Sequence, residues 1–79
     1  PRITMVGGGS WATALVKIFS ENNVAIRWWL RNEADAEHLK RYHHNRSYLS
    51  DVQINPRKVK ICTKIRDAVR DADYVVLAV

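Results

Sequence analysis

An α/β fold built on a doubly wound parallel sheet is what this sequence predicts, and three observations predict it. The apolar run Ile3-Thr4-Met5-Val6 feeds the cluster Gly7-Gly8-Gly9, which opens directly into a helical pattern. Apolar runs and helix-period stretches then alternate down the chain in the order βαβαβαβ. The last run, Tyr74 to Val79, is continuously apolar, the pattern of a strand buried on both faces of a parallel sheet. Right-handed crossovers arrange four such strands in the order 3-2-1-4, a partial doubly wound sheet.

The first strand is expected from about Arg2 to Val6 and the first helix from about Ser10 to Glu21. Ala12, Leu15, Val16 and Phe19 fall on one face of that helix, and Asn22-Asn23 ends it because Asn tolerates a left-handed C-terminal position. Val24 to Leu30 reads as a mostly buried strand interrupted by Arg27, which suits an edge position or a pairing partner. Asn32 is placed to cap a second helix, with Glu33 and Asp35 in its first turn and a thin stripe of Ala36, Leu39 and Tyr42 or His43. Residues 45–57 carry the breakers Ser47, Ser50-Asp51 and Asn55-Pro56 and read as a long loop, functional or mobile. Val59 to Cys62 makes a third strand. Thr63 then caps a third helix with Ile65, Ala68 and Val69 facing inward.

The chemistry concentrates at the first turn. Gly7, Gly9 and Ala12 fit the G-x-G-x-x-G/A spacing of a dinucleotide-binding turn, with Gly8 between them. Gly7 permits the tight turn, Gly9 lets backbone approach a pyrophosphate, and Ala12 keeps the helix close to the strand. The first N–H groups of the helix, around Ser10 and Trp11, then face the phosphates at the positive end of the helix dipole. That dipole contributes only about 0.3–1 kcal/mol, so hydrogen-bond geometry carries most of the grip.

Trp29-Leu30-Arg31-Asn32 sets the preference between dinucleotides. An acid after the second strand would bond the ribose 2′-hydroxyl of NAD, but Arg31 stands there. A carboxylate about 4 Å from a 2′-phosphate costs on the order of 4 kcal/mol per unit charge at an effective dielectric near 20. Arginine reverses that sign and can form a bidentate fork, so NADP is favoured with NAD accepted. Glu33 is an alternative ribose partner, and Arg31 as an ordinary surface charge is the plainer alternative. Trp11 is read equally as a wall of the cleft or as packing for a further domain. Trp28 and Trp29 alternate on a buried strand and read as core.

Other chemistry is sparse. His38 and His43 are five apart on a helix, a spacing that does not align two ligands, and no acidic third ligand is evident; no metal site is expected. Cys62 reads as a small buried hydrophobe without a paired base, and no nucleophile-base pair is visible. Seventy-nine residues allow one small domain of modest stability. Thirteen Lys and Arg against eight Asp and Glu give a net charge of +5, which suits an anionic partner, though the basic residues look scattered along the chain. No apolar run approaches the roughly 20 residues needed to span a bilayer, so neither membrane insertion nor a signal peptide is expected and the cytoplasm is the default. A sheet stopped at Val79 leaves an uncovered apolar strand and implies the N-terminal part of a longer domain, its catalytic residues lying beyond it.

Gly7-Gly8-Gly9-Ser10-Trp11-Ala12-Thr13-Ala14 resembles the G-x-G-S-W-G-T-A start of bacterial-type NAD(P)-dependent glycerol-3-phosphate dehydrogenases. Trp29-Leu30-Arg31 resembles that family's W-x-R, Asn45-Arg46-Ser47-Tyr48-Leu49 its N-x-x-Y-L loop, and Ala72-Asp73 with Leu77-Ala78-Val79 its fourth strand. Ala12 replaces a glycine, and Ser50-Asp51 stands where the family usually has Pro-Gly. The resemblance implies a Rossmann-like domain in which Ser10, Trp11, Arg31, Asn32 and Tyr48 contact NADPH. It also implies a whole enzyme that reduces dihydroxyacetone phosphate to sn-glycerol 3-phosphate for glycerophospholipid synthesis, using a lysine beyond this stretch. The partners so implied are a nicotinamide dinucleotide and a small phosphorylated substrate, with a homodimer through the remaining part allowed. Alternatives are a ketopantoate or 6-phosphogluconate type of dehydrogenase, a nucleotide-sensing domain without turnover, and a small basic nucleic-acid-binding module. The last is disfavoured because no basic run exists.

Overall fold

The computed structural model describes residues 1–47, 49 and 51–78. Its elements are β1 (Ile3–Val6), α1 (Ser10–Glu21), β2 (Ile26–Trp29), α2 (Glu33–Tyr42), β3 (Val59–Cys62), α3 (Ile65–Val69) and β4 (Tyr74–Leu77). The strands form one sheet in the order β3-β2-β1-β4, and all three pairings are parallel. Register aligns Val6 with both Trp29 and Leu77, and Trp29 with Cys62. All four strands therefore end at one level, which puts the following loops along one edge.

Side-chain alternation divides the sheet into two faces. Met5, Ile26 and Trp28 join Ala12 and Val16 of α1 and Ala36 and Leu39 of α2 in a single buried core. On the opposite face the Thr4 hydroxyl donates to the Ala68 carbonyl, Arg27 Nη1 to the Asp67 carbonyl at 3.1 Å, and Trp29 Nε1 to the Thr63 carbonyl at 3.0 Å. These three bonds seat α3. The chain leaves β1 through α1 toward β2 and reaches β4 from β3 through α3 on the other face. The crevice between the outgoing and incoming connections is thus at the C-terminal end of β1, the usual ligand position in an open α/β sheet.

Helix ends follow from local chemistry. Asn32 caps α2 by accepting the Asp35 N–H at 3.1 Å, as its type and position predict. Asn23 takes the left-handed conformation after α1, and His43 does the same after α2. The loop after α2 is fastened at several points: the Ile54 N–H donates to the His43 carbonyl at 2.7 Å, Lys17 Nζ donates to the Gln53 carbonyl at 2.8 Å, and the Ile54 side chain is buried in the core.

Three expectations need correction. Lys64, not Thr63, stands at the N-cap of α3, because the Thr63 carbonyl turns back to the Trp29 indole. Ile65 and Val69 are exposed and only Ala68 is buried, since five residues make little more than one turn and present one inward position. Tyr42 is exposed and packs on the His38 ring instead of extending the apolar stripe. The uncovered apolar strand expected at the end of the sheet is found: β4 pairs with β1 alone among the described residues and leaves Tyr74, Val75 and Leu77 exposed.

Candidate functional site

The site is built where β1 hands over to α1. Gly7 sits at φ 132°, a conformation open to glycine and strained for a residue bearing Cβ. Its N–H donates to the Trp29 carbonyl at 3.2 Å, and its own carbonyl accepts the Trp28 indole N–H at 2.6 Å. The fully buried Trp28 therefore does more than fill the core: it pins the turn. Gly8 follows, and a Cβ on it would lie 3.4 Å from Leu30 Cδ2, so the loop after β2 closes against the turn.

Gly9 is different. Its backbone is extended, at φ −89° and ψ −166°, and a Cβ built on it meets nothing within 4 Å. As N-cap it offers no side-chain acceptor, and the first turn of α1 holds no acidic residue. The N–H groups of Ser10, Trp11 and Ala12 have no backbone acceptor among the described residues; the first intrahelical bond runs from the Thr13 N–H to the Gly9 carbonyl at 3.1 Å. α2 supplies the contrast, with its cap filled by Asn32 and two acids in its first turn. Open space, unclaimed donors and the positive end of a 12-residue helix together suit a phosphate.

A polar network holds this turn from behind. Asn45, 2% exposed, donates through Nδ2 to the Gly8 carbonyl at 2.9 Å and to Thr13 Oγ1 at 3.1 Å. Thr13 Oγ1 in turn donates to the Gly9 carbonyl at 2.8 Å, and the Asn45 Oδ1 accepts the Ser47 N–H at 2.9 Å. The loop that follows α2 is thereby fixed to the glycine turn. Spacing around the glycines pointed to neither Asn45 nor Thr13 as a support; the leading Asn of the N-x-x-Y-L resemblance was the available signal.

The remaining expected residues divide clearly. Ser10 and Trp11 are exposed at the mouth of the turn, Trp11 at 76%, while Ala12 is fully buried and serves by letting α1 approach the sheet. Arg31 is exposed two residues beyond β2, on the same edge as the turn, and pairs with no acid among the described residues. Asn32 has its Oδ1 committed to the α2 cap, which leaves its amide N–H groups for a ligand. Tyr48 lies outside the described residues.

Elsewhere, no group of three or more metal-ligating side chains occurs among the described residues. Cys62 is a free, buried thiol, and burial pushes it up from its ordinary range against the opposing pull of Lys60 and Arg27. A cavity of about 660 Å³ opens at the other end of the sheet, lined by the strand starts. Arg2, Arg27, Lys40, Arg57, Lys58, Lys60 and Arg70 collect around it, so residues scattered in sequence are gathered in space. It lies away from the glycine turn and brings no nucleophile or general base to it. No helix among the described residues is long and apolar enough to cross a membrane.

Comparison with known proteins agrees with this geometry. The family model described as NAD-dependent glycerol-3-phosphate dehydrogenase N-terminus matches residues 2–79. The chain is 35% identical over 78 residues to glycerol-3-phosphate dehydrogenase (NAD(P)+) of Leuconostoc mesenteroides, covering 99% of this chain and 23% of that protein. It is 37% identical over 78 residues to the enzyme of the same name from Corynebacterium diphtheriae, with 99% and 23% covered. The crystal structure of glycerol-3-phosphate dehydrogenase from Coxiella burnetii superposes with a TM-score of 0.88 at 20% identity, over 96% of this chain and 23% of that one, and speaks for the fold. The chain thus spans under a quarter of the length of the relatives it matches. With its uncapped glycine turn at the sheet's crevice and a family model matching almost end to end, the chain belongs to the N-terminal domain family of NAD-dependent glycerol-3-phosphate dehydrogenases.

Proposed function

We propose that this chain is the N-terminal part of the cofactor domain of an NAD(P)-dependent dehydrogenase that reduces dihydroxyacetone phosphate to sn-glycerol 3-phosphate. The observation that carries the reading is the N-terminus of α1: an N-cap without a side chain, open space above Gly9 and unclaimed N–H groups at the C-terminal edge of the sheet. The names and lengths of the relatives support the rest, including a substrate part beyond the residues given.

In this reading the N–H groups of Ser10 and Trp11 hold the pyrophosphate, with Gly7 and Gly8 shaping the loop and Gly9 and Ala12 allowing close approach. Arg31 pairs with the 2′-phosphate, and the Asn32 amide and Tyr48 complete the adenosine side. Trp11, mostly exposed, forms a wall toward the substrate part. When bound, the nicotinamide supplies the hydride. The catalytic lysine lies outside these residues, so the chain by itself binds and does not turn over. A cytoplasmic enzyme, dimeric through its remaining part, acting on a small phosphorylated substrate and not on nucleic acid, completes the proposal.

Titration with NADPH and NADH, repeated on Arg31→Ala, tests it. NADPH should bind, and removal of a charge-assisted bond of about 1.5–3 kcal/mol should weaken it roughly 10–100-fold while NADH changes little. Failure of a demonstrably folded chain to bind either dinucleotide would sink the assignment of the turn. An equal loss for both cofactors would instead remove only the 2′-phosphate role.

A further inference from the structure

His43 takes the left-handed conformation at the end of α2, with φ 62°, and this reverses the chain. The next residue, His44, is thereby carried back onto the helix and meets His38, six positions earlier. Their Nε2 atoms stand 3.4 Å apart, and the rings lie edge to face with centroids 4.7 Å apart. His38 and His43, whose spacing does not align them, form no pair among the described contacts; His44 meets His38 instead.

Three features of this pair point to a cation. The separation is longer than the 2.7–3.2 Å of a well-made N–H hydrogen bond. It does match the chord between two nitrogens held at about 2.0–2.1 Å around a tetrahedral metal, roughly 3.3–3.4 Å. His44 Nδ1 also lies 3.3 Å from the Asn45 carbonyl, which can only accept; the tautomer with the proton on Nδ1 leaves the Nε2 lone pair facing His38. A ligating histidine oriented by a carbonyl through its second nitrogen is the usual arrangement at metal sites.

We propose that His38 and His44 chelate a divalent transition cation of the zinc class through their two Nε2 atoms. Both side chains are half-buried, and the Tyr42 ring, 4.7 Å from that of His38, packs beside the pair. With two protein ligands and no third among the described residues, water fills the other positions and the ion exchanges freely. Because His44 precedes Asn45, which holds the Gly8 carbonyl, a bound ion also braces the glycine turn from outside. The inference is independent of which dinucleotide or substrate the protein uses.

The test is calorimetric titration of the whole chain with Zn²⁺ at slightly alkaline pH, on the wild type and on His38→Gln, His44→Gln and His43→Asn. One equivalent should bind, both Gln variants should weaken it by at least the roughly 10–100-fold that loss of an orienting partner alone costs, and His43→Asn should leave it unchanged. Absence of saturable binding, binding that survives either Gln variant, or a loss confined to one of the two would overturn the chelate. Should a variant fail to fold, the wild type decides by NMR. Zn²⁺ should shift the imidazole resonances of His38 and His44 together while sparing His43, and any other pattern counts against the site.

Discussion

At the residue scale, the consecutive glycines stand in different surroundings, and substitution separates the first from the third. Gly7→Ala forces a Cβ into a φ of 132° and should destabilise the chain by about 1–3 kcal/mol in thermal or denaturant unfolding. Gly9→Ala meets no atom and no backbone strain, so stability should stay within roughly 0.5 kcal/mol while NADPH binding is lost to the methyl group in the phosphate's place. A Gly9→Ala protein that still binds NADPH normally would show that the open space is not where the pyrophosphate sits. The spacing of Gly7 and Ala12 made the tight turn and the close approach of α1 legible from the chain alone, because each follows from what a Cβ would do at that position. Asn45 and the Trp28 indole were not legible in that way. Asn45 reaches Gly8 across 37 positions and Trp28 reaches Gly7 across 21, and no local pattern encodes either contact.

At the element scale, the two helices on the core face begin in opposite ways, a difference that the proposed phosphate site at α1 would account for. α2 is closed at its N-terminus by Asn32, with Glu33 and Asp35 complementing the dipole. α1 is left open. Asn32→Ala should therefore cost about 0.5–2 kcal/mol of stability by urea unfolding, and no change at all would mean the cap bond does not hold in solution. α1 matched its predicted bounds of Ser10 and Glu21 because glycine and asparagine punctuate both ends. α3 was misjudged because Thr63 looks like a cap by composition, whereas its carbonyl is engaged by Trp29 from another strand. Cap propensity is a local quantity, and here a tertiary bond overrides it. The His38–His44 pair went unseen for a related reason: a left-handed residue joins two segments that helical periodicity treats as one.

For the whole molecule, order and direction of the strands were readable because chirality leaves few ways to wind βαβ units, and the uncovered apolar strand at the end of the sheet was readable from the same winding. The apolar run of β4 has the pattern of a strand made to be buried on both faces, and in this chain it leaves Tyr74 63% and Leu77 72% exposed. An unpaired apolar edge of this kind is a template for association, and natural proteins pair it, cover it or charge it. We expect the chain by itself to self-associate in sedimentation equilibrium as its concentration rises. Tyr74→Lys combined with Leu77→Lys should return it to a monomer with little change in melting temperature, since neither side chain contributes to the buried core. In a full-length relative-sized protein carrying the same pair of substitutions, the outcome should reverse. There, if a further strand of the domain packs along β4, two charges placed in its interface should destabilise the domain by several kcal/mol and abolish dinucleotide binding with it. Equal tolerance in both settings would mean that β4 is a true edge and that the remainder of the protein attaches elsewhere.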